Sequence, residues 1–503
     1  MSQHLPVLIV IIPLMASLAV LVMGWWGERA VFILAMSALS LSFGGAVWLF
    51  NIILDQGILS YHLGGWVPPF GIEYRIDRLN SLMLVLVSFL GWITAIWAKK
   101  SIEKELARKG HLFWCLYLLL MTGLFGILVT ADLFNLFVML EVASLTGYAL
   151  VASGGKQATL AGLRYLIIGT IGACFYLLGV GYLYMATGTL NMVHLAQLLP
   201  PLYGSKTVVT AFGFIFTGFA IKIALFPLHT WQPDAYTHAP SAVTIIISTA
   251  MAKTFAYALI RVIFTVFTIQ FLHTIQFLVH LICWMAATAI ILGSVFAIVQ
   301  DNLKQMLAYS SIANVGYIVL GVGLGASSSL GLTPAVIHMV NHAVIKGAMF
   351  MAACGFVHRL NLVRISDFNG LSQKMPISVL ALILACLAMI GLPPGGGFVS
   401  KWVLILAAID GGRYLFVAVI FISTLLMLVY FWRMIEAMYI RPLIEPCIQE
   451  QAPVVRGELP LSMMIPMGVM AILAFVTGLV WMSGEATLFL NGLNQDLGLK
   501  ALP

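Results

Sequence analysis

Two lysines stand where a lipid-embedded chain should carry only apolar side chains: Lys222 in FTGFAIKIALFPLHTWQPDA and Lys253 in STAMAKTFAYALIR. A charged side chain at the centre of a membrane helix costs about 3 kcal/mol on insertion scales, so such residues face a protein interior and mark a path for protons or ions. Pro227, Pro233 and Pro240 interrupt the chain between the two lysines. Proline removes an amide donor and clashes with the preceding turn, so a helix broken at membrane depth needs protein or water to take up its freed carbonyls. Glu141 supplies the opposite charge. It comes about ten residues into ADLFNLFVMLEVASLTGYALVA, about 15 Å along a helix, and of the eighteen acids it alone falls at the middle of an apolar run. A carboxylate in that position either protonates or pairs with a cation, and the buried lysines are the cations on offer.

A second group has a tighter spacing. His338, His342 and Lys346 follow one another at i, i+4 in HMVNHAVIKGAMF, so all three line one helix face. Two histidines and a lysine on one buried stripe are best explained by a hydrated path, since each would otherwise need its own buried partner. Lys401 follows GLPPGGGFVS, a second Gly/Pro break beside a lysine in an apolar run. His229, Asp234 and His238 come just after Lys222. The prolines among them work against one shared metal geometry, and they are expected to line a half-channel instead.

The elements that carry these residues follow from composition. Of 503 residues, 62% are hydrophobic and 9% charged, against roughly 25% charged in a soluble domain, so the chain is a polytopic membrane protein. Apolar runs of about 20 residues predict fourteen transmembrane helices between residues 5 and 482, with the breaks in spans seven (207–230) and twelve (376–408). The first run, Leu5 to Met23, lacks a preceding Lys or Arg and a small-residue cleavage site, and reads as a span. With the loops numbered alternately, fourteen basic residues fall on one side and six on the other, and the remaining five are Lys222, Lys253, Lys304, Lys346 and Lys401. Arg261 is counted with the six. The positive-inside rule then puts both termini outside, and the net charge of +7 reports topology rather than a nucleic-acid partner. Six cysteines without a CxxC pair give no disulfide framework, zinc site or iron–sulfur ligation.

The two breaks lie five spans apart. A unit with an odd number of spans must insert upside down relative to its copy, the inverted pair from which transporters build a midplane pathway. The chain is thus expected to be all-α, with a three-span segment (1–111), a first five-helix repeat (112–262), a second (263–439), and a connection with the last span (440–503). Residues 53–78 suggest a short hairpin, the charged run Lys99 to Lys109 a solvated loop, and GVGLGA at 321–326 a helix-packing feature, none with chemistry of its own.

With these residues in place, the chain resembles the antiporter-like subunits shared by complex I (NADH:quinone oxidoreductase), membrane-bound hydrogenases and Mrp-type cation/proton antiporters. The points of likeness are Glu141 in ADLFNLFVMLEV, Lys222 before FPLHTWQPDA, Lys253 in AKTFAYALIR, Lys304 in DNLKQMLAYSS, HMVNHAVIKGAMF, and Lys401 in GFVSKW. ADLFNLF, GGWVPPFGI and GTLNM look most like the D-type member of the Mrp antiporters, while THAPSA before span eight departs from relatives. The resemblance implies a prokaryotic inner-membrane subunit of a hetero-oligomeric complex. In it Glu141 pairs with Lys222, and protons pass through Lys253, Lys304, His338, His342 and Lys346 to Lys401, with Na+ or K+ as the exchanged cation. No cofactor or metal is implied in this chain. A redox-driven pump subunit would use the same path with its redox centres in partners. A self-sufficient transporter of a small solute would instead need a substrate-sized pocket, which charges strung serially along the chain do not suit.

Overall fold

The computed structural model describes residues 4–107, 109–441 and 457–499. In chain order the elements are α1 (Leu5–Met23), α2 (Glu28–Gln56), β1 (Leu59–His62), β2 (Glu73–Ile76), α3 (Arg78–Glu105), α4 (Gly110–Val129), α5 (Leu133–Ala152) and α6 (Lys156–Thr187). Then come α7 (Met192–Leu198), α8 (Lys206–Lys222), α9 (Trp231–His238), α10 (Ser241–Thr274), α11 (Gln276–Val299) and α12 (Leu303–Gly325). The chain continues with α13 (Thr333–Leu360), α14 (Pro376–Ile390), α15 (Gly396–Asp410), α16 (Tyr414–Tyr439), α17 (Leu461–Trp481) and α18 (Gly484–Asp496). Among the described residues, twelve of these helices are long and apolar enough to cross a membrane, and the protein is a helical polytopic membrane protein. The expected span 376–408 is split into α14 and α15, and in 207–230 the helix α8 stops at Lys222 and gives way to turns that lead into α9.

Polar caps at one end of the bundle set where helices begin. Asp77 caps α3 by accepting from the amides of Leu79 and Asn80, and the Asn80 side chain accepts in return from the Asp77 amide. Asp132 caps α5, Asn191 caps α7 and Ser205 caps α8. Each places a side-chain oxygen on an amide that the first helical turn leaves unpaired. The expected hairpin is present at this end, β1 pairing antiparallel with β2 in the register Leu59 to Ile76 and His62 to Glu73. The packing reading of GVGLGA also fits, since a Cβ at Gly321 would come within 2.9 Å of the Ala335 backbone on α13.

The two breaks solve the same problem with different groups. After α8 ends at Lys222, the freed Ile221 carbonyl accepts from the Trp231 indole at 2.9 Å, and the Ala220 carbonyl from the Leu225 amide at 2.8 Å. In the second break the Met389 and Ile390 carbonyls accept from the Lys401 ammonium at 3.1 and 2.9 Å. Glycine is required where the chain re-enters as α15, because a Cβ at Gly397 would stand 2.1 Å from the Ala388 carbonyl oxygen. The α10 helix is itself irregular, with π-helical segments at Ile247–Met251 and Val262–Phe267 flanking the stretch that carries Lys253.

Several expectations change. Arg261 is not in a loop: it lies inside α10, 6% exposed, ion-paired to Asp77. Residues 53–78 therefore do carry buried charge, Asp77 and Glu73 being 2% and 7% exposed. The run Lys99 to Lys109 is not only a loop, because α3 extends to Glu105 and the Glu105 carboxylate accepts from the Ser241 amide at the start of α10. Pro240 precedes that helix as its cap. The short helix α18 was not expected. Arg108, Arg456, Lys500, Cys447 and most of the 440–460 connection lie outside the described residues.

Candidate proton path

Glu141 and Lys222 meet. The Lys222 ammonium lies 2.8 Å from a Glu141 carboxylate oxygen, 2.7 Å from the Ser144 hydroxyl and 3.4 Å from the Tyr148 hydroxyl, all three on α5. Lys222 is at the last position of α8, where the break opens room for its head group. Behind it, Tyr148 packs edge-on against Tyr165, and Tyr165 stacks on Trp231 at 3.9 Å. The pair is asymmetric: the lysine side chain is 3% exposed and the carboxylate 19%, so Glu141 is the partner open to the molecule's surface.

The other four lysines have main-chain partners. Lys253 donates to the Ser248 carbonyl in the π-helical segment just before it. Lys346 on α13 donates to the Leu307 carbonyl on α12 at 2.9 Å, and Lys304 to the Ala239 carbonyl at 3.1 Å. Lys401 holds the carbonyls of the second break and also reaches the Thr424 hydroxyl at 3.3 Å. A carbonyl accepts from an ammonium or from a neutral amine, so each site accommodates both protonation states of its lysine.

Between them run the histidines. His338 and His342 are each 1% exposed, with ring centres 5.9 Å apart. His338 bonds Ser400, the neighbour of Lys401, through Nδ1 at 3.0 Å, and its ring lies 5.2 Å from Tyr317, over which the Lys401 ammonium sits at 5.7 Å. Among the described residues, His338 Nε2 and both ring nitrogens of His342 find no hydrogen-bond partner. Lys253 acts electrostatically on His338, His342 and Lys346, and Lys401 acts on His338. The structure thus brings Lys253, His338, His342, Lys346 and Lys401 into one buried polar region, with Glu141 and Lys222 as a separate pair and Lys304 at the start of α12.

His229, Asp234 and His238 are not brought together as one lining. His229 is buried and stacks on Phe226 at 5.0 Å, with Nδ1 unpartnered. Asp234 instead turns to Arg164 in a partly exposed ion pair of 2.6 Å, and His238 is half-buried at the end of α9. Among the described residues no cluster of three metal-ligating side chains exists.

Sequence reasoning missed Ser144 and Tyr148 around Lys222, and Ser400 beside His338. It also missed Asn341, whose amide donates to the Gly396 carbonyl at 2.6 Å and whose oxygen accepts from the Trp481 indole at 3.0 Å. These are uncharged, and in a helix they give no signal until a charged neighbour is known. The largest omission is the Asp77–Arg261 pair, with contacts of 2.6 and 2.8 Å. Burial by itself would raise the Asp77 carboxyl, but the adjacent guanidinium and the α3 amides outweigh it and hold the group below its ordinary value.

Comparison with known proteins agrees with this architecture. The sequence profile described as "NADH:quinone oxidoreductase/Mrp antiporter, TM" matches residues 130–427. The N-type subunit of the NADH-quinone oxidoreductase of Desulforudis audaxviator is 45% identical over 95% of this chain and 96% of its own length. The D-type subunit of the Na(+)/H(+) antiporter of Alkalihalophilus pseudofirmus is 31% identical over 74% of both chains. Among solved structures, a chain of the membrane-bound sulfane sulfur reductase, an archaeal respiratory membrane complex, superposes with a TM-score of 0.88 at 30% identity over 98% of this chain and 97% of that one. The likeness to the D-type antiporter member seen in ADLFNLF and GTLNM is therefore not singled out, since the N-type oxidoreductase member matches at higher identity over more of the chain. Spanning both kinds of relative, the chain belongs to the NADH:quinone oxidoreductase/Mrp antiporter family of membrane subunits.

Proposed function

We propose that this chain is a proton-translocating subunit of a multisubunit membrane complex. Protons move by way of Lys222, poised by Glu141, then Lys253, His342, His338 and Lys346, and leave through Lys401, with Lys304 connecting to the opposite face. The observation that carries this reading is the pair of buried histidines with unpartnered nitrogens set among lysines that bond main-chain carbonyls, Lys401 also reaching the Thr424 hydroxyl and the Met427 sulfur. Buried polar atoms without protein partners take water, and water between groups able to gain and lose a proton is a conducting chain. A solute carrier would instead present a substrate-sized pocket with a few convergent polar groups.

We further infer that the split spans also cross, giving fourteen, and that 112–262 and 263–439 are inverted repeats, each with one break and one lysine beside it. The hairpin end is then the outer face. With Arg261 buried, the six basic residues counted there fall to five against fourteen.

Two settings use the same path. The N-type oxidoreductase relative favours a redox-driven complex, and the motifs shared with the D-type antiporter relative favour a cation/proton antiporter. In either, Lys346→Ala in an assembled complex abolishes driven proton movement measured with a pH-sensitive dye in proteoliposomes. Undiminished movement with intact assembly would refute the path. Redox subunits co-purifying with the tagged chain select the first setting, and small cofactor-free membrane proteins alone select the second.

A further inference from the structure

Lys253, Tyr257 and Arg261 occupy successive i, i+4 positions on α10 and are 1%, 1% and 6% exposed. They form one buried stripe running from the proton path straight to the hairpin end of the bundle. This stripe lies between Lys253 and the hairpin end. The groups at its end are arranged so that a proton cannot leave along it. Asp77 accepts from the amides of Leu79 and Asn80 at 3.0 and 3.1 Å, and from both terminal nitrogens of Arg261 at 2.6 and 2.8 Å. Three of these four donors fall on Oδ1 and one, an Arg261 nitrogen, on Oδ2, and together they hold Asp77 as the anion. The Tyr257 hydroxyl donates to the Leu128 carbonyl at 3.1 Å and accepts from Arg261 Nε at 2.9 Å, so its proton is committed. Asn80 closes the cluster by donating to the Arg75 and Leu128 carbonyls.

We propose that the Asp77–Arg261 pair is a proton seal, which closes the direct route from Lys253 to the hairpin face and forces the proton sideways onto His342 and His338. A guanidinium does not release its proton in a protein, so Arg261 cannot relay one. Its fixed positive charge also opposes a hydrated proton or cation in the same place, as charged constrictions do in pores that exclude protons. The Asp77 carboxylate, held as the anion by these four donors, neutralises Arg261 enough for burial. This inference rests on the proposed proton path and adds a residue pair that determines its direction.

The test uses the assembled complex in proteoliposomes, with passive proton conductance measured under an imposed membrane potential and no driving substrate. Replacing the pair with the apolar Asp77→Leu/Arg261→Met is expected to raise conductance about tenfold or more, equivalent to lowering a barrier by about 1.4 kcal/mol. That leak persists when Lys346→Ala is added, because the opened route bypasses Lys346. Arg261→Lys, which keeps the charge, stays closed. Conductance equal to the parent's in the double variant, with subunit composition unchanged, overturns the proposal and leaves a purely structural ion pair. If the apolar pair prevents assembly, Asp77→Asn/Arg261→Gln keeps the helix cap and a neutral hydrogen bond and decides by the same readout. Driven transport unaffected by Lys346→Ala alone would instead defeat the path itself, so the two failures are distinguishable.

Discussion

The five buried lysines are held in two chemically different ways. Lys222 faces a carboxylate, and the rest face main-chain carbonyls or hydroxyls. Breaking a buried ion pair on one side leaves an uncompensated charge, whereas replacing both partners with apolar groups of similar size is nearly neutral for stability. Lys222→Met/Glu141→Leu is therefore expected to assemble and melt within about 1 kcal/mol of the parent while losing proton transport. Thermal melting and dye uptake on the same preparation check both halves. Asp77 makes a pH prediction. Its folded value lies below the unfolded value of 3.8, so the contribution of the pair is complete above about pH 4 and disappears as pH falls through the depressed folded value. Melting temperature should be insensitive to this group from pH 5 to 8, and Asp77→Asn should lower it throughout that range. A parent whose stability fell on approaching pH 5 while Asp77→Asn did not would contradict this assignment. Lys222, Lys253, Lys346, Lys401 and Glu141 were legible in the sequence because a charge inside an apolar run stands out. Asp77 and Arg261 were not. Each sits at the edge of an apolar run, where a loop charge looks the same, and they meet across 184 residues of chain.

At the scale of elements, the broken helices were foreseeable from Gly and Pro, but the way their carbonyls are satisfied was not. One break uses the Trp231 indole and the other uses Lys401. The Lys401 head group thus holds the break together and stands on the proposed path. Gly397→Ala tests how closely the junction is packed. Its Cβ would meet the Ala388 carbonyl at 2.1 Å, so a cost of about 1–3 kcal/mol, the range for overpacking, is expected as a lower melting temperature. An unchanged melting temperature would mean that the junction yields freely. The π-helical segments around Lys253 were invisible in the sequence, because α-helical and π-helical stretches share one apolar pattern when every face is buried.

For the whole molecule, composition and charge distribution were enough to read a polytopic helical protein, and twelve long apolar helices bear that out. The kind of complex was less legible, since relatives of both kinds match. Glu141 is more exposed than its partner Lys222. Co-purification of the tagged chain from native membranes is expected to yield further membrane subunits in fixed ratio. Recovery as a lone chain active in liposomes would contradict assignment to a multisubunit complex. The central claim is that protons cross through the buried histidine and lysine stripe of α13. The most direct measurement is driven proton uptake by proteoliposomes holding the assembled complex with His342→Ala and, separately, Lys346→Ala. Each substitution is expected to lower uptake by about tenfold or more with subunit composition unchanged. Full uptake by both variants would contradict the claim.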